Sequence, residues 1–483
     1  MKRVIVLLLI ACSGFPLSAQ TSVLHAGDWY KFAVERNGVY RISFDMLRKA
    51  GIDPGKINPK NIRIFGLEGG MLPQPNSIPR PSDLLECAIA VIGEEDGKFD
   101  RNDYILFYAE GPDDYEYNLS RGIYRYENNI YTDVNYYFLT VGSDVGKRVS
   151  TSENIAGDFH RITRFNAFSF YENDAVNIER SGRAWYGEKF GTQTVYTLTY
   201  NMPGVTAGTN MKIVSDVMSQ SSVKSSFKLY FNEVLVAEQI PDLTPTGEYA
   251  IRGQHKRDTL TIPVNNISAP TRASQEVKYE FVKESRFSQG YLDFIMLDYV
   301  RDLALYGNQT FFLSAESVLH DFCTFEIASA TNDVRIWDIS DHYNAKNQEF
   351  TLSGTVAKFS TATNDLKKWM VFNNNCPEPK LVGKIPNRDL LGMATPNLLI
   401  VTHPQFRSEA ERLAAHRTSV DNLAVAVVTT EEIFNQFSSG RQDITAIRDF
   451  AKILRDKNPA AFKSKVSDEL FPIIRAPTLM SIN

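Results

Sequence analysis

Short apolar runs separated by tight turns dominate the first 150 residues of the chain. Residues 29–34 and 39–42 are apolar-rich, and the Asn37-Gly38 pair between them is a strong hairpin signal. Helical spacing is confined to residues 44–50, where Gly51 ends the pattern. The pattern predicts a β domain over residues 20–150, with one short helix.

Residues 151–305 show strands at the spacing of a β-sandwich. The apolar or alternating runs that indicate these strands lie at 195–200, 211–217, 227–231, 259–264, 277–282 and 291–300. Residues 306–390 continue in short β-like runs. We therefore predict a β-sandwich domain over 151–305, followed by a β-rich connecting region over 306–390.

The pattern changes near residue 391. Residues 397–402 and 423–428 are continuous apolar strands, and residues 406–417 between them have helical periodicity. Thr429 and Glu432 suit a capping box, and we expect Asp443 to cap a further amphipathic helix. Continuous strands that alternate with helices indicate a parallel sheet covered on both faces. The sequence predicts the opening of an α/β domain over 391–463, with two strands clearly present.

The N-terminus reads as an export signal. Lys2 and Arg3 precede the short apolar run of residues 4–11, and Leu17-Ser18-Ala19 is a small-residue cleavage site. We expect residues 1–19 to be a signal peptide and the mature protein to begin at Gln20. In an alternative interpretation, Cys12 is the lipidated first residue of a lipoprotein.

Composition narrows the choice of partners. A net charge of −5 argues against nucleic acid, because phosphate binding favours a basic face. Without Cys12 the chain retains Cys87, Cys323 and Cys376, which allow at most one disulfide and show no zinc-site spacing. We expect structural or loop roles for these three cysteines, and the sequence predicts no cofactor or metal.

Three segments could carry chemistry. Asp96 to Asp103 resembles part of a calcium loop, but a polar turn before a strand at 104–108 fits better. His403 follows the first parallel strand, where catalytic groups gather in open α/β sheets, although a turn role is the commoner one. The Arg183-Ala184-Trp185-Tyr186-Gly187-Glu188 segment offers a sugar- or peptide-contacting platform; we favour a packing element anchored by Trp185.

Several motifs together resemble the PorU-type sortases of the type IX secretion system, a gingipain-related cysteine peptidase family. The similarity extends from about residue 28 to about 463. The motifs are Trp29-Tyr30-Lys31, Asn37-Gly38-Val39-Tyr40, Asn61-Ile62-Arg63-Ile64-Phe65-Gly66, Gly69-Gly70, Asp96-Gly97-Lys98-Phe99-Asp100, Asp103-Tyr104-Ile105-Leu106-Phe107-Tyr108, Gly182-Arg183, Trp185-Tyr186-Gly187-Glu188, residues 398–403, Phe437-Ser438-Ser439-Gly440, Asp443 and Ala446-Ile447-Arg448-Asp449-Phe450.

The resemblance implies an α/β peptidase domain of the gingipain type at the outer-membrane surface. Such enzymes remove the C-terminal signal of secreted cargo and join the new end to anionic lipopolysaccharide, within an attachment complex that includes PorV. Their catalytic His and Cys follow later strands of the sheet, and no position here matches either residue.

The last 20 residues depart from the family pattern. Residues 464–483 contain Pro472 and Pro477 where a buried strand is expected. We expect this divergent tail to result from a frameshift or premature stop, so that the chain holds the non-catalytic part of the enzyme. The alternative is a binding module of β domains that grips a partner or a surface glycan.

Overall fold

The structure is a computed structural model that describes residues 21–178, 185–267, 269 and 272–459. The predicted signal peptide, including Cys12, and the predicted tail from 464 lie outside the described residues. The chain divides into two compact units. The β unit comprises residues 30–71 and 85–384, and the α/β unit comprises residues 1–29, 72–84 and 385–483.

Nine strands and one helix form the N-terminal part of the β unit. They are β1 (Trp29–Val34), β2 (Gly38–Ser43), α1 (Phe44–Lys49), β3 (Ile62–Gly66), β4 (Leu85–Cys87), β5 (Ile89–Ile92), β6 (Tyr104–Ala109), β7 (Asp114–Asn118), β8 (Ile123–Glu127) and β9 (Asn135–Val141).

Nineteen further strands follow in the described part of this unit. They are β10 (Ser150–Ser152), β11 (His160–Ile162), β12 (Arg164–Glu172), β13 (Lys189–Phe190), β14 (Val195–Asn201), β15 (Asn210–Gln220), β16 (Ser225–Phe231), β17 (Val234–Gln239), β18 (Gln254–Pro263), β19 (Ser274–Lys283), β20 (Gln289–Asp302), β21 (Gln309–Phe312), β22 (Phe322–Ile327), β23 (Arg335–Asp338), β24 (Lys346–Gln348), β25 (Thr351–Ser353), β26 (Val356–Ala362), β27 (Trp369–Phe372) and β28 (Lys380–Ile385).

These strands form several small sheets. The N-terminal part holds a sheet ordered β28-β1-β9-β3-β4, a sheet ordered β2-β6-β5 and the β7-β8 hairpin. The sandwich consists of β12-β20-β15-β18, with β13 beside β20, and β14-β19-β16-β17. The connecting region adds β10-β24-β23-β27-β21 and β11-β22-β26-β25. The predicted mainly β architecture is therefore confirmed.

The sandwich core explains why its strands are recognisable in the sequence. Alternate residues of β19 are buried, and they meet buried residues of β15 and β16 in one apolar cluster. Phe227, Tyr279 and Leu292 are fully buried members of that cluster. Side chains of alternating polarity on a strand place one face in the core and one in water, which produces the period of two. Every strand predicted in residues 195–300 is present.

The α/β unit begins its regular structure at β29 (Leu398–Thr402) and continues through α2 (Arg407–Asp421), β30 (Val425–Thr429), α3 (Thr430–Phe437) and α4 (Thr445–Lys457). Strands β29 and β30 pair in parallel, with Leu398 opposite Val425 and Thr402 opposite Thr429. The predicted βαβ opening of an α/β domain is therefore confirmed.

A proline-rich segment, residues 72–84, belongs to the α/β unit. The Arg80 guanidinium pairs with Asp449 of α4 at 3.1 Å and also donates to the carbonyl oxygen of Pro73. Asp443 accepts a hydrogen bond from the backbone N–H of Leu72 at 2.7 Å. These contacts hold an irregular segment in one conformation against α4. In the described part of the chain, no helix is long and apolar enough to cross a membrane.

Candidate functional site

The carboxyl ends of β29 and β30 meet at one edge of the parallel pair, because Thr402 and Thr429 are in register. This is the edge at which open α/β sheets place ligand and catalytic groups. A cavity of about 170 Å³ lies there, lined by residues that include Arg388, Arg407 and Glu432. The charged residues that line this cavity are therefore candidates for a functional role in the α/β unit.

Glu432 is the central charged group of this cavity. Its side chain accepts a hydrogen bond from the Thr429 N–H at 2.7 Å, and the Thr429 hydroxyl accepts one from the Glu432 N–H, as the capping box predicts. Arg407 lies 3.1 Å and Arg388 3.6 Å from its carboxylate. Burial raises the pKa of Glu432, but the Thr429 N–H and the two guanidinium groups outweigh it and lower the pKa. Glu432 is therefore a stably ionised capping residue.

His403 is exposed at the same edge. Its Nδ1 accepts a hydrogen bond from the Gln405 N–H at 3.3 Å and so caps a 3₁₀ turn at Pro404–Phe406. No cysteine occurs between residues 385 and 459. The geometry fits a turn role for His403, and the described part of this unit offers it no thiol.

In the β unit a thiol, an imidazole and a carboxylate lie next to one another in space. The sequence gives no sign of this arrangement. Cys87 ends β4, Glu110 directly follows β6, and His342 lies in the loop between β23 and β24. Cys87 Sγ lies 4.0 Å from His342 Nε2, and His342 Nδ1 lies 3.7 Å from Glu110 Oε1. The Tyr137 hydroxyl contacts His342 Nε2 at 3.2 Å and accepts the Glu110 N–H at 2.8 Å.

His342 and Glu110 form a buried ion pair. Burial alone lowers the pKa of His342, but the nearby Glu110 carboxylate outweighs it and raises the pKa to about 10. Burial likewise raises the pKa of Glu110, whereas the charge of His342 and the Gly69 N–H lower it to about 2. Both groups are therefore charged at neutral pH.

Cys87, His342 and Glu110 follow one another in space as the nucleophile, base and acid of a catalytic triad do. The Cys87 thiol, however, is not accessible to a substrate. A working nucleophile and base lie within about 2.6–3.2 Å, and the nucleophile must reach a substrate. Cys87 is 1% exposed, and both separations here are longer. We therefore interpret the group as a structural ion pair. No local sequence motif predicts this group, because its members are up to 255 residues apart in the chain.

The other two cysteines of the described chain are also buried. Cys323 Sγ lies 3.5 Å from the Ser317 carbonyl oxygen, and burial raises the pKa of its thiol. Cys376 Sγ lies 3.3 Å from the Asn373 carbonyl oxygen, and burial raises its pKa to about 11. Thiols of this kind are poor nucleophiles at neutral pH, because the thiolate is the reactive form.

The Asp96–Asp103 segment is a turn whose acidic groups have protein partners. Asp96 accepts the Lys98 N–H at 2.9 Å, and Asp103 accepts the Asp100 N–H at 2.6 Å. Glu94, two residues before this segment, pairs with Arg148 at 2.8 Å. These contacts agree with the polar turn and leave the calcium hypothesis without a structural argument.

In the segment that contains Trp185 and Tyr186, the residue that packs into the protein is not the one expected. Arg183 and Ala184 lie outside the described residues, and Trp185 is 40% exposed. Tyr186 is the buried ring: its backbone bridges to Val176, and its hydroxyl contacts His255 Nε2 at 2.8 Å. The prediction of Trp185 as the anchor is wrong, because the bridge at Tyr186 places that neighbouring ring in the packed position.

Comparisons with known proteins agree with this architecture. Residues 393–467 match peptidase family C25. The crystal structure of dimeric latent PorU from Porphyromonas gingivalis matches with a TM-score of 0.79 and 23% identity. The match covers 90% of this chain and 40% of the PorU chain, so the chain spans less than half the length of that protein.

Two carbohydrate-binding modules also match over short stretches. One is CBM36 in complex with calcium and xylotriose, at TM-score 0.17 and 16% identity, covering 28% of this chain and 99% of that one. The other is the CBM36-1 domain of a multidomain xylanase from the hindgut metagenome of Trinervitermes trinervoides, at TM-score 0.15 and 12% identity, covering 27% and 95%. Neither likeness is close enough to carry an argument, and no curated protein matches the chain.

The matched C25 segment coincides with the βαβ opening that β29, α2 and β30 form, and the PorU likeness extends over the β unit as well. The chain therefore has a PorU-type fold and carries, at residues 393–467, a segment of the gingipain-related peptidase family C25.

Proposed function

We propose that this chain is the front part of a type IX secretion sortase, a gingipain-type cysteine endopeptidase and transpeptidase that removes C-terminal signals from exported cargo. The coincidence of the C25 match with β29, α2 and β30 carries the proposal. The PorU-type fold of the remaining chain supports it.

In this proposal the described residues hold the scaffold of the enzyme and the catalytic His and Cys follow later strands of the parallel sheet. His403 is engaged in a turn, and the three cysteines of the described chain are buried. Residues 1–19 act as the export signal, and the protein works at the outer-membrane surface. Its partners are a PorV-like attachment complex, cargo that carries a C-terminal signal, and anionic lipopolysaccharide.

The test is a signal-removal assay with a full-length homologue and its attachment complex. The purified chain alone should show no thiol-dependent cleavage of cargo. Added in excess, it should compete with the homologue for the complex and slow signal removal. A heat-unfolded sample of the same chain is the control, because it has the same composition without the fold.

Two results would contradict the proposal in different ways. Cleavage by the chain alone, abolished by replacing Cys87, Cys323 or Cys376 with serine, would place the nucleophile inside the described residues. Absence of both binding and competition would favour a β-domain module with a different partner, such as a surface glycan.

A further inference from the structure

An acidic cluster with one imidazole lies on the outer face of the sandwich sheet β12-β20-β15-β18. Asp216 of β15, His255 of β18 and Asp293 of β20 each direct one potential ligand atom to a common point, and these three atoms lie within 4.8 Å of one another. Within the described chain, no other three His, Cys, Asp or Glu side chains bring their ligand atoms this close together.

A β-bulge brings Asp293 to this point. Asp216 pairs with Phe294 and Val217 pairs with Leu292, so Asp293 has no partner on β15. An extra residue in one strand bends that strand and re-aims its side chains. Leu292 stays in the sandwich core, and Asp293 joins the outer face that carries Asp216.

The imidazole is held in the orientation that a metal ligand needs. His255 Nδ1 lies 3.1 Å from Asp216 Oδ1, and His255 Nε2 lies 2.8 Å from the Tyr186 hydroxyl. Metal-binding histidines usually engage their second ring nitrogen with a fixed partner, which sets the tautomer and the ring plane. Arg257 donates to Asp216 Oδ2 at 2.7 Å and leaves Oδ1 on the side of the cluster.

The surroundings favour a cation. Two carboxylates, those of Asp216 and Asp293, lie in the cluster beside the Arg257 guanidinium and the imidazole. Among the described residues, none donates a hydrogen bond to the Asp293 carboxylate. A divalent ion would neutralise the excess negative charge.

We propose that Asp216, His255 and Asp293 form a binding site for a divalent metal ion of the zinc type. Two carboxylate oxygens and one imidazole nitrogen form a donor set that zinc accepts with solvent in the remaining position. Calcium prefers six to eight oxygen ligands and gains little from an imidazole. Tetrahedral zinc places its ligand atoms roughly 3.3 Å apart when each lies about 2.0 Å from the metal, so small side-chain rotations close the site.

The experiment is zinc titration of the chelator-treated full chain, followed by isothermal calorimetry and by thermal unfolding with and without Zn²⁺. We expect one equivalent to bind and to raise the melting temperature, with Ca²⁺ at the same concentration giving a clearly smaller rise. Asp293→Asn should weaken zinc binding at least tenfold. The same variant should fold normally without metal, because asparagine has nearly the same shape as aspartate.

Glu172→Gln is the matched control. It removes a neighbouring carboxylate that is not a proposed ligand, and it should change the zinc dissociation constant less than threefold. Tyr186→Phe should weaken binding without abolishing it, since it removes the partner of His255 Nε2. Zinc affinity that is the same in Asp293→Asn and in the parent chain overturns the proposal. So does equal stabilisation by Ca²⁺ and Zn²⁺.

Discussion

The buried Glu110–His342 pair offers a sharp test of how the β unit is held together. Glu110→Gln keeps the shape of the side chain and removes its charge, and it leaves His342 without a counter-ion. Nδ1 and Oε1 lie 3.7 Å apart, and the His342 side chain is 3% exposed. At an effective dielectric constant of 20, this separation gives an attraction of about 4 kcal/mol.

The two pKa values convert to different energies. The rise from 6.5 to about 10 for His342 corresponds to about 5 kcal/mol, and the fall from 4.5 to about 2 for Glu110 corresponds to about 3 kcal/mol. We adopt the smaller figure, since the Glu110 side chain is 21% exposed and water screens its charge. We therefore expect Glu110→Gln to lower the free energy of unfolding by about 3 kcal/mol at pH 6, within the range for a broken buried pair.

The pH dependence identifies the pair as the cause. A histidine whose pKa is raised on folding contributes stability that is fully present below its unfolded pKa of 6.5. That contribution is lost as the pH rises towards 10, where native His342 loses its proton. The difference between the parent chain and Glu110→Gln should therefore shrink steadily from pH 6.5 to 10. Using the difference removes the effect of other groups that titrate in the same range.

Urea unfolding, followed by the fluorescence of buried Trp337 and Trp369, measures this loss, and hydrogen exchange in β6 and β9 localises it. Glu68→Gln is the matched control at the same cavity. Burial and the charge of Glu110 raise the pKa of Glu68, so removing its charge should be neutral or slightly stabilising. A loss below 1 kcal/mol for Glu110→Gln, or a difference that does not change with pH, would refute the ion-pair interpretation.

Three further predictions concern single contacts. Arg80→Ala should destabilise α4 and residues 72–84 by about 2–3 kcal/mol, seen as faster hydrogen exchange there, because a charged group loses several hydrogen bonds; normal exchange would contradict this. Thr429→Ala should cost about 1 kcal/mol through loss of the α3 cap, whereas Thr429→Ser should not. Cys87, Cys323 and Cys376 should react with a disulfide reagent only upon unfolding, and rapid labelling of the native chain would show an accessible thiol.

The sequence predicts the elements of this fold because the signals for them are local. The alternating strands of the sandwich and the Thr429–Glu432 capping box are each read within about ten residues. In both cases the same residues that carry the pattern make the contact, as in the reciprocal hydrogen bonds of the capping box. Predictions of this kind hold in the folded structure because they do not depend on distant residues. The hairpin predicted at Asn37-Gly38 is wrong, because β1 pairs with β9 and β28 whereas β2 pairs with β6 in another sheet.

The charged clusters could not be predicted, because each depends on strands brought together from distant parts of the chain. Cys87, Glu110 and His342 come from three separate loops or strand ends, and no spacing between them is characteristic. The convergence of Asp216 and Asp293 depends on a bulge. A one-residue change of register turns a side chain to the opposite face of the sheet. Sequence periodicity alone would therefore have separated these two carboxylates.

Burial explains why the thiol–imidazole pair of Cys87 and His342 is unsuited to catalysis. A buried His can be kept charged only by a nearby carboxylate, and Glu110 supplies it at the end of β6. Cys87 fills the remaining space beside the ring, where it is 1% exposed. The packing that stabilises the imidazolium also excludes the substrate, because each requires the surrounding strands to close over the ring. An open pair would be hydrated, and its Glu110 would have less effect on the pKa of His342. The burial that stabilises the β unit therefore works against nucleophilic chemistry at Cys87.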